Sequence, residues 1–184
     1  MNYAAIKKFD IANGEGIRVT LFVSGCRNRC PGCFQPETWS FDYGEPFSDE
    51  VKEEIFFALD KPSVRGLTLL GGEPMEPENQ RGLLPLLREM KERFPKKNIW
   101  LYTGNLYEEL TGEKGSHPKC IDITAELLSY VDILVDGRFI EEKKQLGLRF
   151  RGSSNQRIID MNKTRECGNI VIWDGVALDR DFKK

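Results

Sequence analysis

Three cysteines within eight residues are the most informative chemical feature of this 184-residue sequence. Cys26, Cys30 and Cys33 form a C-x3-C-x2-C segment that follows the apolar run at residues 19–23. Thiolates are the usual protein ligands of iron–sulfur clusters, and a complete protein set for a [4Fe-4S] cluster has four of them. A loop that supplies three thiolates therefore predicts a cluster with one iron open to a substrate.

Two other interpretations of this segment stay open. It could be a zinc site completed by His117 or Cys167, or its cysteines could be unrelated buried thiols. Structural zinc sites favour a C-x2-C pair with a second, distant pair, and the sequence has no second pair. Gly25, Pro31 and Gly32 permit close turns of the backbone around a large inorganic group, which favours the cluster.

A second candidate segment, Gly71-Gly72-Glu73, ends the next apolar run, residues 67–70. Two residues without side chains leave backbone groups accessible, so an amino-acid-like ligand could lie along them. Taken alone, the segment is more typical of a tight turn before a helix. Two further apolar runs end at Thr103 and at Asp136, where a hydroxyl and a carboxylate could contact a ligand or cap a strand-end turn.

The elements that would position these residues follow from hydrophobic periodicity. Apolar, β-rich runs recur at residues 19–23, 67–70, 98–102 and 132–135. Helical spacing recurs between them at residues 48–59, 78–94 and 123–130. Alternating strands and helices pair their strands in parallel, which brings the strand ends that carry the candidate residues to one edge. We therefore expect an α/β fold, an open partial (β/α) barrel with a mainly parallel sheet covered by helices.

The whole chain, residues 1–184, fits one domain. We expect a turn at GSSNQ with short strands at residues 157–160 and 170–173, an exposed loop at 111–119, and a turn near the active-site mouth at 13–16. Trp100 and Trp173 are predicted core residues, and Trp39 is predicted to shield the cysteine loop. His117 is predicted to be solvated, and Cys120 and Cys167 to be free buried thiols.

Composition limits the classes of function. There are 27 basic and 29 acidic residues, so the net charge of -2 gives no indication of a nucleic-acid or anionic-membrane partner. No apolar run approaches the roughly 20 residues that span a bilayer, and five cysteines, an odd number, favour metal binding over disulfides. We expect a cytoplasmic protein. His117 is the single histidine and the sequence shows no plausible Ser-His-Asp set, which argues against hydrolysis, so no side-chain acid or base is assigned to catalysis.

The C-x3-C-x2-C loop beyond a strand resembles the radical S-adenosylmethionine superfamily. The segments DIANGEGIRVTLFVSGC, CPGCF with PETW following, VDILVDGRF and RGSSNQR together resemble the activating proteins of anaerobic ribonucleoside-triphosphate reductases, over nearly the whole chain. The resemblance implies reductive cleavage of S-adenosylmethionine at a [4Fe-4S] cluster on Cys26, Cys30 and Cys33. A glycine of the large reductase subunit would then lose a hydrogen atom.

The resemblance also implies the cofactor contacts. The methionine amino and carboxylate groups would chelate the open iron, and the carbonyls and acid of Gly71-Gly72-Glu73 would hold the amino group. Many members have an aromatic residue before the third cysteine, whereas this chain has Gly32 there and Phe34 after Cys33. The adenine contact therefore falls either to the Phe34 ring or to the backbone of these residues. Thr103 and Asp136 are the expected polar contacts on the rim.

The implied partners are the large catalytic subunit of the reductase and a flavodoxin- or ferredoxin-type electron donor, and the chain could form a homodimer. The polar residues expected at the mouth, which a simple turn would also explain, are Arg149, Arg151, Ser153, Asn155 and Gln156. Two alternatives stay open. One is another small radical S-adenosylmethionine enzyme, such as a formate-lyase activase. The other is an Fe-S electron carrier, against which a set of three cysteines argues.

Overall fold

The computed structural model describes residues 1–175 and has a seven-stranded sheet at its centre. The strands are β1 (Asn2–Asp10), β2 (Ile17–Val23), β3 (Glu45–Pro46), β4 (Val64–Gly71), β5 (Asn98–Tyr102), β6 (Ile133–Asp136) and β7 (Arg157–Asp160). The four apolar runs predicted as strands form β2, β4, β5 and β6. β4 begins earlier than predicted, at Val64.

The order of the strands across the sheet is β3-β1-β2-β4-β5-β6-β7. The four strands β2, β4, β5 and β6 are parallel. β1 pairs antiparallel with β2 and with β3, and β7 pairs antiparallel with β6. The two edges are different strands, so the sheet is open. The predicted α/β class with a sheet that is parallel in its middle is confirmed, and the carboxyl ends of the parallel strands meet at one edge.

The α-helices within the described residues are α1 (Asp49–Leu59), α2 (Pro77–Arg93), α3 (Tyr107–Leu110), α4 (Thr124–Tyr130) and α5 (Met161–Cys167). α1 begins as predicted after Ser48, whose hydroxyl accepts a hydrogen bond from the Val51 amide at 3.4 Å. α1, α2 and α4 confirm the three predicted helices. α3 and α5 were not predicted because one or two turns are too short for a helical period to show.

The two faces of the sheet have different roles because side chains alternate along each strand. The face covered by helices carries the main apolar core, to which the central strands contribute Leu21, Leu69, Leu101 and Leu134. The opposite face carries a smaller cluster of Trp100, Ile133, Val135 and Ile158, with Phe150 and Trp173 packed on it. Trp100 is a buried core residue as predicted, whereas Trp173 is half-buried. At the carboxyl ends of the parallel strands, this second face borders the candidate site.

Three details differ from the sequence-based expectations. β1 was missed because Lys7, Lys8 and Phe9 on it are exposed and break the apolar pattern. The predicted strand at 170–173 is wrong, since it makes only an isolated bridge between Ile172 and Ile159, although β7 itself is confirmed. The loop at 111–119 is exposed up to residue 116, but Lys119 at its end is buried.

The predicted turn at GSSNQ is confirmed, because the Gln156 side chain accepts hydrogen bonds from the amides of Gly152 and Ser153 at 2.8 and 3.1 Å. The last part of the predicted domain, residues 176–184, lies outside the described residues. No helix in residues 1–175 has the length and the hydrophobicity that crossing a membrane requires.

Candidate cluster and cofactor site

The cysteine loop leaves the carboxyl end of β2 and turns sharply. Gly25 and Gly32 have φ angles of +94° and +67°, and Arg29 has the left-handed value of +46° despite its side chain. The Gly25 amide donates to the Thr38 carbonyl at 2.8 Å, which ties the loop to the segment that follows it. These constraints hold the three cysteines of the predicted cluster site on one loop, where all three are free and half-buried.

The environment of these thiols affects their protonation. Burial raises the pKa of Cys26 to about 11, and the carboxylate of Glu73 acts in the same direction, whereas Lys119 opposes it. Burial also raises the pKa of Cys30, which the Arg138 guanidinium opposes. Both thiols are therefore protonated at neutral pH in the metal-free chain. Because metals bind thiolates, loading this loop must release protons.

The zinc alternative gains no support from the geometry. Within residues 1–175, no three histidine, cysteine or acidic side chains come together as a group that could hold a single metal ion. This is true of His117 and Cys167 with the cysteine loop, and also of Cys26, Cys30 and Cys33 by themselves.

The Gly71-Gly72-Glu73 segment lies directly against the cysteine loop. The Glu73 amide donates to the Gly25 carbonyl at 2.9 Å, and the Gly72 amide donates to the Val23 carbonyl at 2.7 Å. A Cβ atom on Gly72 would lie 2.6 Å from the Gly25 carbonyl oxygen, so a side chain at this position would force the two loops apart. The two motifs identified in the sequence are thus one structural unit at the edge of the sheet.

Glu73 is the centre of a buried polar network. Its side chain is 1% exposed, and one carboxylate oxygen accepts from the Met75 amide at 2.9 Å and the Thr103 hydroxyl at 2.8 Å. The other oxygen accepts from the Gly104 amide and from the side-chain amides of Asn28 and Asn105, at 2.8 to 3.0 Å. Five protein donors surround this carboxylate, so it joins the ends of β4 and β5 to the cysteine loop.

A cavity of about 430 Å³ opens on the sheet face opposite the helices, next to this unit. Its wall combines glycine backbone with aromatic rings and polar side chains, from Ala12, Asn13, Phe34, Leu70, Gly71, Gly72, Tyr102, Thr103, Gly104, Phe139, Leu148, Phe150, Arg151, Gly152 and Gln156. Four predicted cofactor contacts, Phe34, Gly71, Gly72 and Thr103, are among them. Asn13, from the segment predicted as a turn at 13–16, is also in the wall.

Several predicted contacts lie beside the cavity wall rather than in it. Gly32 and Cys33 precede the wall residue Phe34, and a Cβ atom on Gly32 would lie 2.6 Å from the carboxyl carbon of Glu141. Of the expected mouth residues, Arg151 and Gln156 line the cavity, whereas Ser153 is buried and Asn155 donates to the Arg138 carbonyl at 2.8 Å. Arg149 packs over the Phe150 ring at 4.9 Å.

Asp136 is fully buried and its carboxylate is occupied by protein groups. It accepts from Nε of Arg157 at 2.9 Å and from the Tyr107 amide at 2.8 Å, and a second guanidinium nitrogen of Arg157 bonds the same carboxylate. Arg157 also pairs with Glu108 at 2.6 Å, and this hydrogen bond lowers the pKa of Glu108 to about 2. Asp136 therefore links β6, β7 and α3, and it is not among the residues that line the cavity.

Tyr102 was not predicted from the sequence, where its apolar neighbours indicate only a strand. It lines the cavity, and its hydroxyl oxygen is buried with no hydrogen-bond partner among the described residues. Burial raises the pKa of this phenol above its ordinary value, so it stays protonated. A buried donor in a cavity wall is costly unless a ligand or water satisfies it. The cavity thus fits a ligand with both polar and ring-shaped parts.

The phenylalanine after the third cysteine extends the cavity wall toward the cysteine loop. The Phe34 ring is 65% exposed, lies 5.2 Å from the Phe139 ring and has the Lys144 ammonium 4.9 Å above it. An exposed aromatic ring at the junction of the cavity and the thiol-bearing loop is suited to packing on the flat ring of a ligand.

The other cysteines and Trp39 have separate environments. The prediction of a buried thiol is wrong for Cys167, which is exposed because it ends α5 at the surface, with its Sγ 3.2 Å from the Asn169 carbonyl oxygen. Cys120 is half-buried. Trp39 is half-buried, and its carbonyl accepts the Cys26 amide at 3.1 Å, which agrees with a position beside the cysteine loop. His117 is half-buried rather than fully solvated.

Comparison with known proteins gives consistent results. The family described as "4Fe-4S single cluster domain" matches residues 12–159. Anaerobic ribonucleoside-triphosphate reductase-activating proteins of Vibrio cholerae and Escherichia coli K12 are 42% and 36% identical to this chain, over 86% and 85% of it and 97% and 96% of the relatives. That of enterobacteria phage T4 is 38% identical over 86% of this chain and 93% of its own length. The chain therefore belongs to the family of anaerobic ribonucleoside-triphosphate reductase-activating proteins and contains its 4Fe-4S domain.

Proposed function

We propose that this chain generates a glycyl radical on the large subunit of an anaerobic ribonucleoside-triphosphate reductase, using S-adenosylmethionine and a [4Fe-4S] cluster. One observation carries the proposal. Three free thiols lie on a loop whose backbone is hydrogen-bonded to the Gly71-Gly72-Glu73 segment, beside a cavity with aromatic and polar walls. The names of the relatives indicate the reductase as the protein that is activated.

Within this proposal, Cys26, Cys30 and Cys33 hold the cluster. When bound, the cluster would pass one electron from a flavodoxin- or ferredoxin-type donor to S-adenosylmethionine. This electron would split the cofactor into methionine and a 5'-deoxyadenosyl radical, which would take a hydrogen atom from a glycine of the reductase. No acid or base is needed for such a transfer, so the residues of the chain bind, orient and exclude water.

The methionine end of S-adenosylmethionine would lie along the backbone of Gly71 and Gly72, which line the cavity next to the cysteine loop. Glu73 supports this backbone from below, because its carboxylate already accepts five hydrogen bonds. Thr103 reaches the cofactor by its position in the wall, while its hydroxyl donates to Glu73. Asp136 acts through Arg157, by fixing the end of β6.

The adenine end would lie against the Phe34 ring, with the backbone of Gly32 and Cys33 beside it. Phe34 suits this role because it joins the cysteine loop to the cavity wall. The Tyr102 hydroxyl, which has no hydrogen-bond partner within residues 1–175, would bond a polar group of the cofactor or of the incoming glycine segment.

As the finer description of the fold, we propose that the open sheet curves around the cavity face as a partial barrel. A cavity that stays open on this face leaves room for a glycine loop of the reductase. We further propose one domain for residues 1–184, a cytoplasmic location and a homodimer.

The test is anaerobic reconstitution with iron and sulfide, followed by reduction and addition of S-adenosylmethionine and the large reductase subunit. We expect an EPR doublet from a glycyl radical and 5'-deoxyadenosine in comparable amounts. The Cys30→Ala variant should give neither product, and Cys167→Ala should match the wild type because that thiol is exposed and remote in sequence.

Other outcomes would redirect the proposal. Formation of 5'-deoxyadenosine without the doublet would contradict the reductase as the substrate and favour another glycyl radical enzyme. A complete, reducible cluster that yields no 5'-deoxyadenosine would contradict cofactor cleavage and favour electron transfer.

A further inference from the structure

Lys119 is a buried lysine that contacts both motifs of the site. Its side chain is 8% exposed, which is rare for a lysine unless the ammonium group is paired. The ammonium donates to Oδ1 of Asn28 at 2.8 Å and lies 3.1 Å from the Glu76 carboxylate and 3.8 Å from that of Glu73. It therefore joins one residue of the cysteine loop to two buried acids.

The backbone of Lys119 is fixed as firmly as its ammonium group. Its carbonyl accepts from the Gln80 side chain at 2.7 Å and from the Thr124 hydroxyl at 3.1 Å, both of which are buried. These bonds anchor the end of the 111–119 loop to α2 and to the start of α4. The ammonium group is thus held in place from both ends of the side chain.

The partners of Lys119 are the residues that shape the C-x3-C part of the loop. Asn28 lies between Cys26 and Cys30, and its amide nitrogen donates to Glu73 at 2.8 Å. Glu76 accepts the Arg27 amide at 2.8 Å and the Arg27 guanidinium at 2.7 Å. Without the ammonium group, Asn28 would lose a donor and two carboxylates that are each 1% exposed would lose a buried counter-charge.

Charge gives Lys119 a second effect. The Arg27 side chain is 55% exposed, so water screens its guanidinium, whereas the ammonium of Lys119 is inside the protein. A [4Fe-4S] cluster on three thiolates adds negative charge, and net charge and hydrogen bonds around a cluster set its reduction potential. A fixed positive charge behind the loop makes reduction easier, and a fixed negative charge makes it harder.

We infer that Lys119 is a positioning residue that holds the C-x3-C segment against the Gly71-Gly72-Glu73 unit and raises the reduction potential of the cluster. The inference rests on the proposed function only in placing the cluster on Cys26, Cys30 and Cys33. It needs neither the reductase nor cleavage of S-adenosylmethionine.

The experiment compares Lys119→Gln and Glu76→Gln in full-length, reconstituted protein. Iron and sulfide content and the EPR midpoint potential are measured without the reductase. Lys119→Gln should lower the ratio of reduced to oxidised cluster at a fixed potential about tenfold, which for one electron corresponds to about 59 mV. Glu76→Gln should shift the ratio in the opposite direction, because it removes a negative charge from the same network.

Two controls separate charge from loss of structure. Lys119→Arg keeps the positive charge and should keep the wild-type potential. Lys91→Gln removes another partly buried lysine, which pairs with Asp132 at 2.8 Å just before β6, at the opposite edge of the sheet. It should leave the potential unchanged while costing comparable thermal stability.

Shifts in opposite directions support the inference, since general loosening of the site would move both variants alike. Unchanged potentials in both variants, or shifts in the same direction, would overturn it. If Lys119→Gln does not fold, Glu76→Gln decides the question, and a potential that does not rise would overturn it. Wild-type protein that binds no cluster would instead contradict the cysteine assignment of the proposed function.

Discussion

Acidic residues at the ends of strands hold this site together from behind. Glu73 lies two residues beyond β4 and Asp136 is the last residue of β6, and both are buried with their carboxylates bonded to protein donors. Burying a carboxylate is costly unless donors surround it, so these donors are a condition of the fold. The cavity wall beside them still presents the backbone of Gly71 and Gly72, the Phe34 ring and the Tyr102 hydroxyl.

At the same scale, the three cysteines are predicted to be individually essential. Changing Cys26, Cys30 or Cys33 to Ala leaves two thiolates for the cluster, and we expect a loss of radical formation greater than about hundredfold, beyond what outer-shell changes at metal sites cost. The EPR doublet of the glycyl radical measures this loss, and iron and sulfide analysis with the visible absorption of the reconstituted protein measures the cluster content. Cys120→Ala and Cys167→Ala are the matched controls and should retain the cluster. A full cluster in any of the first three variants would refute the assignment.

Among the elements, β7 extends the sheet beyond its parallel centre. It also provides the arginine of an ion-pair contact next to the cavity. Arg157 at the start of β7 is the register partner of Asp136 at the end of β6. The same guanidinium reaches Glu108 in α3. This three-way contact fixes the end of β6 next to the Arg151–Gln156 turn, three residues of which line the cavity.

The contact between Arg157 and Glu108 makes the free energy of unfolding depend on pH in a defined direction. The hydrogen bond from Arg157 holds the pKa of Glu108 at about 2, below its ordinary value of 4.5, although burial opposes the shift. A lowered pKa stabilises the fold above about pH 4.5, and this contribution is lost as the pH falls toward 2. Glu108→Gln should therefore cost on the order of 2 kcal/mol at neutral pH, after a discount for partial exposure, and progressively less below pH 4.5.

Urea unfolding of the metal-free protein at several pH values measures the difference. Glu126→Gln is the control, because its ion pair with Arg88 is exposed on both sides and should contribute little at any pH. A cost for Glu108→Gln that stays constant down to pH 3 would contradict this explanation.

For the whole molecule, hydrophobic periodicity predicts the parallel centre and cysteine spacing predicts the cluster loop, but neither predicts the network behind the loop. The apolar runs of β2, β4, β5 and β6 show because strands buried on both faces are continuously apolar. Asn28, Asn105 and Lys119 meet Glu73 from three separate loops, and no local pattern records such long-range contacts. β1 was missed for a related reason, since a half-exposed edge region carries lysines where a buried strand would be apolar.

The main core is built without the cysteine loop, and this leads to a prediction about iron removal. The main core is built from the sheet and helices on the covered face, and residues 24–46 contribute none of its buried members. A core that forms without the loop does not need the binding energy of a metal group, unlike a zinc finger, which is unfolded without metal. We expect the chelated protein to keep its far-UV circular dichroism and to unfold cooperatively, with a lower melting temperature than the loaded form.

Hydrogen exchange would locate the change. Amide protection should fall at residues 25–34 when iron is removed and stay unchanged at residues 67–70 and 99–101, whose amides belong to the central strands. The loaded protein, prepared by reconstitution from the same chelated sample, is the control. Loss of circular dichroism and of cooperative unfolding on chelation would show that the cluster is needed for the fold itself. If circular dichroism and cooperative unfolding are both retained and only residues 25–34 lose protection, the metal group stabilises the loop at the edge of an already folded sheet and not the sheet itself.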